Sequence, residues 1–413
     1  MSSNLHRNVR SILTTFMLGA AALAIVIGIV QAPREAFGAS LSGLQIWWQH
    51  VFPGLLPPLI LAELLAASGL LHGLSALAEP LTRRWFRLPG AAGWAIAFGW
   101  LAGIPAGAKE AARLRESGLI PQEDTDKVLL LSHVPNPFLV VMVVGVGFLQ
   151  SPALGWAIAA GIWLAAILTG IVWPRIHSHR QQEAPARTNL PALLHAAAHA
   201  VAEARMSNRR PLGKQLADGV TNTVGLLMSV GGLMMMAAVL IRLLQIWIPG
   251  SDAWIAIPGV YEMNLGAYES SRSPLFESTP ERAAALLAAA LAWTGWSGLL
   301  QARATFANAD AFPWGKIIAG KLLHAALALL ITWPMARFAL HSAHKWNAAW
   351  LPFDLPAFEQ APPGGMGGFD WRQWPKVWLA GLACIAVFLL LALLAAVIRP
   401  RPRRRNGPPT SPK

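Results

Sequence analysis

The chain has 413 residues, of which 55% are hydrophobic and 13% charged, and its mean hydropathy is +0.46. Soluble domains carry about 25% charged residues, so this composition excludes an ordinary soluble protein and indicates an all-α, polytopic membrane protein. The net charge of +13 comes from basic residues in short loops and tails beside apolar runs. That placement follows the positive-inside rule, and nucleic acid is therefore not an expected partner.

The sequence carries no recognised motif of a catalytic or metal centre. It has no Walker lysine loop, no nucleophilic serine elbow and no HExxH pair, so neither an enzyme nor direct driving by ATP is predicted. The single cysteine, Cys384, excludes a disulfide framework. His195 and His199 have helical spacing without a carboxylate in place beside them, which favours a surface helix over a metal site. We therefore expect no metal and no cofactor.

Eight apolar runs are about as long as a helix needs to cross a bilayer. The first follows a basic N-terminal stretch, which favours a retained helix with a cytoplasmic N-terminus over a signal peptide. A basic tail follows the last run, so both termini are predicted to be cytoplasmic. Nineteen tryptophans against two tyrosines suit an interfacial aromatic belt. The eight runs are residues 12–30, 51–74, 128–148, 155–173, 219–248, 283–300, 317–340 and 377–398.

Two further stretches, 88–109 and 258–267, are apolar but interrupted by Gly, Pro or Asn, and they predict re-entrant hairpins. Breaks are expected at 103–109, 135–137 and 297–298. At membrane depth, freed backbone groups are tolerated only where protein buries them or where they line a watery cavity. Interrupted segments of this kind therefore point to the substrate site of a transporter.

The two halves of the chain repeat one order of elements: span, broken hairpin, amphipathic connector, broken span, plain span. The charge bias predicts that the opening span starts from outside in the first half and from inside in the second, which gives an inverted repeat with substrate near the midplane. For the polar cytoplasmic linker between the halves, an Ala-rich helix and a flexible segment are both open. The predicted units are the first helix and outer loop (1–50), the first gate-type repeat (51–174), the linker (175–214), the second repeat (215–340), an outer loop (341–376), the last span (377–398) and a basic tail (399–413).

Polar, glycine and proline residues at the breaks are the candidate substrate-binding residues. Helix N-termini favour anions, and Lys109 could hold a carboxylate or phosphate there, or could be a cytoplasmic anchor that snorkels. Glu63 lies inside an apolar run, where a carboxylate indicates ion coupling or an internal partner for a basic residue. Asn136 could cap the freed backbone or bind substrate, whereas Glu262 and Asn264 could line a site or be solvated in an outer loop. The full candidate set is Gly103, Pro105, Gly107, Lys109, Asn136, Glu262, Asn264, Gly266, Ser297 and Gln301.

Several of these motifs resemble the YlbJ (SpoVV) family of sporulation integral membrane proteins. The resemblance covers about residues 50–335 and is carried by G-I-P-A-G-A-K at 103–109, Asn136-Pro137, Glu262, Gly266, Ser297, Gln301-Ala302 and Lys321-Leu322-Leu323-His324. It implies gate-type "nucleoside recognition" domains and a multi-pass protein in the outer forespore membrane. It also implies export of dipicolinic acid from the mother cell toward the forespore, as needed for a normal spore cortex. Trp100, Trp293 and Trp296 crowd the breaks and depart from the usual pattern.

The resulting hypothesis is an inverted-repeat transporter of a small organic anion, with dipicolinate as the first candidate. The alternatives are a gate-type carrier of nucleosides or other solutes, and a non-transporting sporulation scaffold that holds partners through its basic loops. The expected partners are the lipid bilayer, a small-molecule anion and, as an open alternative, a second copy of the chain.

Overall fold

The computed structural model describes residues 2–173, 190–207, 210–253, 255–308 and 312–343, and none of these residues lies in a β-strand. The predicted outer loop beyond residue 343, the last span at 377–398 and the basic tail lie outside the described residues. The helices of the first half are α1 (Ser2–Gln31), α2 (Pro33–Ile46), α3 (Phe52–Ala67), α4 (Leu70–Leu81), α5 (Ala92–Ala102), α6 (Ala106–Glu116), α7 (Thr125–Ser132) and α8 (Pro152–Val172). Three π-helical segments, Trp47–Val51, Thr82–Phe86 and Phe138–Phe148, lie between them.

The linker and the second half are also helical where the structure describes them. They comprise α9 (Leu190–Ser207), α10 (Leu212–Trp247), α11 (Pro258–Tyr261), α12 (Met263–Ser271), α13 (Pro274–Ser278), α14 (Pro280–Trp293), α15 (Gly295–Ala304) and α16 (Trp314–Ala343). Short 3₁₀ turns occupy Gln122–Asp124 and Ser251–Ala253.

Among the described residues, five helical segments are long and apolar enough to cross a membrane. They are Pro33–Ala67, Pro152–Val172, Leu212–Trp247, Pro280–Ala304 and Trp314–His341. Three shorter apolar helices join them: Thr15–Gln31, Ala92–Ala102 and Phe138–Phe148. Many large apolar side chains on these helices are exposed, as expected of surfaces that face lipid rather than water. The described residues are thus helical without strands, which agrees with the predicted polytopic membrane protein, whereas the number of spans and the inverted repeat stay predictions.

The second predicted span begins much earlier than residue 51, because α2 continues into α3 without a break. Pro53 should interrupt an α-helix, since its ring clashes with the preceding turn and it has no N–H to donate. The wider π turn Trp47–Val51 ends two residues before Pro53, and the Phe52 N–H donates to Trp47 O, five residues back. The wider turn lets the helix pass through the proline instead of starting there.

Part of the predicted linker is an ordered helix. Helix α9 packs on α4 so closely that a Cβ at Gly73 would lie 2.6 Å from a Val201 methyl group. His195 and His199 are exposed, and His199 Nδ1 lies 3.7 Å from a Glu203 carboxylate oxygen. Of the two alternatives for the linker, the helix is the observed one over Leu190–Ser207.

Glycine contacts hold both broken hairpins closed. In the first half, Cβ atoms added at Gly99 and at Gly107 would each lie 2.0 Å from Ser132 O, so α5, α6 and the end of α7 meet at one carbonyl. In the second half, a Cβ at Gly266 would lie 2.2 Å from the Gly259 Cα, which brings α12 against α11. Only glycine permits backbones to approach so closely.

Candidate functional site

The first break lies between α5 and α6 and is narrower than predicted. Helix α5 ends at Gly103, whose φ of +79° and ψ of −149° belong to a region that is essentially restricted to glycine. Helix α6 already begins at Ala106, so the break covers 103–105 and both Gly107 and Lys109 are helical. Pro105 stands at the helix start, where its missing N–H costs no hydrogen bond.

Asn136 lies in the second break, 135–137, and its side chain links this break to the first one. Its side-chain Nδ2 donates to Ala102 O at 3.0 Å, at the end of α5, and its Oδ1 accepts from the Leu139 N–H at 2.7 Å. The residue is buried, and it therefore caps the segment that starts at Phe138 while satisfying a carbonyl that the break leaves free. The capping interpretation of Asn136 is the one that the structure shows.

Replacing Asn136 by Ala should remove both hydrogen bonds and leave the Ala102 carbonyl and the Leu139 N–H without partners. We expect a loss of about 1–3 kcal/mol in the free energy of unfolding. Asn136→Ser is the matched control, because serine can keep the cap but cannot reach across to α5. Thermal unfolding in detergent should rank wild type above Asn136→Ser and Asn136→Ala lowest. Equal melting temperatures for all three would contradict the assignment.

Glu262 and Asn264 lie at the break between α11 and α12 and are buried, with 2% and 1% of their surface exposed. One Glu262 oxygen accepts from the Leu265 N–H at 2.7 Å, and the other accepts from Asn264 Nδ2 at 2.8 Å. Glu262 thus caps α12, and burial rules out solvation in an outer loop for both residues. The second amide atom of Asn264, Oδ1, is buried without a hydrogen-bond partner.

The break in the second half's long span lies at Thr294–Gly295 rather than at Ser297–Gly298. Thr294 and Gly295 have φ values of 72° and 69°, and α15 begins at Gly295. A Cβ at Gly295 would lie 2.8 Å from Tyr261 O, so this kink packs against the hairpin. Ser297 and Gln301 are consequently helical, Ser297 buried and Gln301 partly exposed.

Residues from both halves of the chain line one narrow cavity. Asn136 from the first half and Asn264 from the second are its polar lining residues. Its volume of about 20 Å³ has room for about one water molecule in this conformation. The remaining lining is apolar and comes from Leu55, Leu59, Ala102, Ile104, Leu139, Leu226, Leu227, Val230 and Met263.

Glu63 lies one helical turn beyond this cavity. Residues four apart share a helix face, so Glu63 continues the face of α3 that carries the lining residue Leu59. Asn222 stands in the same relation to Leu226 on α10, and the Glu63 carboxylate lies beside the Asn222 side chain. Lys109 and Glu110 of α6 are within electrostatic range of that carboxylate. Lys109 is exposed and is not among the residues that line the cavity.

Tryptophan indoles satisfy carbonyls near the breaks, a role that the sequence reasoning missed. Trp100 Nε1 donates to Leu131 O at 2.7 Å, Trp163 Nε1 to Pro135 O at 3.2 Å and Trp293 Nε1 to Val260 O at 3.3 Å. The interfacial belt does not describe these three side chains, which are partly buried inside the bundle. The available signal was that Trp100 and Trp293 each lie within three residues of a glycine break.

Replacing Trp100 by Phe should keep much of its stacking on Trp163 but remove the donor to Leu131 O. We expect a loss of about 1–2 kcal/mol in unfolding free energy, the cost of an unsatisfied carbonyl. Trp48→Phe is the matched control, since Trp48 is 58% exposed and stacks on Phe52. Chemical unfolding in detergent should show a smaller effect for the control. An equal effect would contradict the role of the indole N–H.

The comparisons with known proteins agree with the resemblance found in the sequence. The sporulation integral membrane protein YlbJ of Bacillus subtilis (strain 168) is 28% identical over 357 residues, which cover 81% of this chain and 86% of that protein. No family model matches the chain. No solved structure matches it either.

Proposed function

The chain belongs to the YlbJ family of sporulation integral membrane proteins, and from this we propose that it is a sporulation membrane transporter of a small organic anion. Dipicolinate, a planar dianion at neutral pH, is the candidate substrate, carried from the mother cell toward the forespore. Its two carboxylates suit helix N-termini and amide donors, and its ring suits an apolar lining.

One observation carries the proposal: amide side chains from helix breaks in both halves line the same cavity. Broken helices in a membrane must have their freed backbone groups buried by protein or placed on a cavity. Here Asn136 closes one break internally, whereas Asn264 keeps one buried oxygen without a partner beside the cavity. An apolar space with a few convergent polar groups at the junction of two repeats is the arrangement typical of secondary transporters.

We interpret the described conformation as a closed state of an inverted repeat. The two hairpins correspond, since each is closed by a pair of glycines and followed by a broken span. Sites for small ligands usually measure about 300–1,000 Å³, far above the roughly 20 Å³ found here. Transport then requires the two halves to separate along the α3–α10 contact, where Glu63 and Asn222 lie one turn from the cavity.

Uptake of labelled dipicolinate into proteoliposomes that hold the purified protein tests the proposal. We expect time-dependent uptake that unlabelled dipicolinate competes and that nucleosides do not. Uptake of nucleosides without uptake of dipicolinate would favour a nucleoside carrier over an anion carrier. Absence of any flux from correctly folded protein would favour the scaffold.

A further inference from the structure

A second group of buried polar side chains, outside the cavity and without an assigned role, lies where the two broken spans meet. Lys321 and His324 of α16 and Thr294 have no exposed surface, and His133 at the end of α7 is 2% exposed. Neither ring nitrogen of His133 makes a hydrogen bond of good geometry, although the imidazole contacts the Gly298 backbone, and Thr294 Oγ1 and His324 Nδ1 also lack a partner. So many unsatisfied buried polar atoms at one place need a reason.

Two of the unsatisfied groups, on His133 and Thr294, lie at the first turn of α15. His133 Nε2 lies 3.7 Å, and Thr294 Oγ1 3.2 Å, from the position that a Cβ on Gly298 would occupy. The Lys321 ammonium donates to the backbone carbonyl of His133, which holds the amine next to the imidazole. Helix α15 has ten residues, and its N-cap, Thr294, makes no side-chain capping hydrogen bond.

The groups of this cluster are hydrogen-bond donors, and one of them is cationic. Among the described residues, no carboxylate lies within ion-pairing distance of Lys321, and the acid of the neighbouring α7, Asp126, is already engaged by Lys316 at 3.6 Å and by Trp173 Nε1 at 3.0 Å. Ammonium, hydroxyl and imidazole groups can all donate, and a helix N-terminus carries partial positive charge. Burying a cation without a counter-ion is unfavourable, so the cluster is complementary to a negative charge.

We propose that Lys321, His133, Thr294 and the N-terminus of α15 form an anion site for a carboxylate or a halide. If the ligand is a carboxylate, the inference rests on the proposed function. One carboxylate of the transported substrate then enters this site when the two halves separate. The site also replaces Lys109, which is exposed, as the position of the substrate's cationic partner.

A purely structural role for Lys321 makes a different prediction. Its ammonium would then only cap the carbonyl end of α7, a favourable place for a cation. Replacing it by methionine would remove a stabilising hydrogen bond and lower the melting temperature. Both roles lose that hydrogen bond, but only the anion site predicts that Lys321→Met also loses the rise in melting temperature on addition of the anion.

The test measures thermal unfolding of the purified full chain in detergent, with methanesulfonate as the reference anion, since it is neither a carboxylate nor a halide, and with dipicolinate or chloride added. Wild type should be stabilised by at least one of the two, and Lys321→Met should need at least tenfold more of it for the same shift. Lys316→Met is the matched control, since Lys316 lies on the same helix but is partly exposed and pairs with Asp126. It should respond as wild type does.

The two proposals can fail separately. If wild type carries dipicolinate and Lys321→Met responds to anions and transports as wild type does, the anion site is overturned and the transporter stands. If wild type carries no dipicolinate but its stabilisation by chloride is lost in Lys321→Met, the site stands as a halide site. If neither anion stabilises wild type, the site is overturned.

Discussion

Gly107→Ala should leave little folded protein in the membrane. The added Cβ would lie 2.0 Å from Ser132 O and 2.7 Å from the Gly99 Cα, and both of these are backbone atoms that cannot rotate away. Ser132 is itself buried at the end of α7, and α7 is buried along its whole length. Overpacking of this kind costs about 3 kcal/mol or more, a large part of the stability of a typical domain.

The control for this prediction is Gly232→Ala on α10, where nothing lies within 4 Å of the added Cβ. That change should be neutral or slightly stabilising, because alanine is favoured over glycine inside a helix by about 1 kcal/mol. Gly266→Ala should behave like Gly107→Ala, since its Cβ would lie 2.2 Å from the Gly259 Cα. Size-exclusion profiles of fluorescent fusions solubilised from membranes provide the measurement. A normal profile for Gly107→Ala would show that the first hairpin does not close on Ser132.

The position of the first break follows from local chemistry that the sequence exposes. Gly103 adopts a backbone conformation that only glycine takes readily, and a proline follows two residues later. The segment 135–137 carries two prolines around an asparagine that can cap the next helix. These signals act within a few residues, and for this reason a break within 103–109 and one at 135–137 could be predicted without knowledge of the packing.

Other features depend on distant partners and were missed or misplaced. The break in the second long span was predicted at Ser297 but lies at Thr294. There the Gly295 backbone packs on Tyr261 O, a contact between separate helices. The passage through Pro53 depends on a π turn, which no apolar periodicity announces. Lys321 and His324 fitted a family motif in the sequence, but their burial beside His133 appears only when α16 is placed against α7 and α15.

Asn136 and Asn264 have different roles at the candidate site. Both line the cavity, yet both amide atoms of Asn136 are used within the protein, whereas Asn264 uses only Nδ2, on Glu262. The dipicolinate dianion has no hydrogen-bond donor, so the free amide oxygen of Asn264 can reach it only through a water that donates to both. The expected defects therefore differ: stability for Asn136 and flux for Asn264.

Asn264→Ala should lower dipicolinate uptake at least tenfold while the protein reaches the membrane at the wild-type level. Losing a polar partner at a buried site costs about 1–3 kcal/mol of binding, equivalent to roughly 10–200-fold in rate. The variant also loses the Nδ2 hydrogen bond to Glu262, which should lower stability, but the fold should persist because Glu262 still caps α12 through the Leu265 N–H. Glu269→Ala on the same helix is the matched control, since Glu269 is exposed and does not line the cavity. Uptake per folded molecule that is equal in wild type, Asn264→Ala and Glu269→Ala would remove this cavity from the transport path, whereas loss confined to Asn264→Ala would place substrate between the two halves.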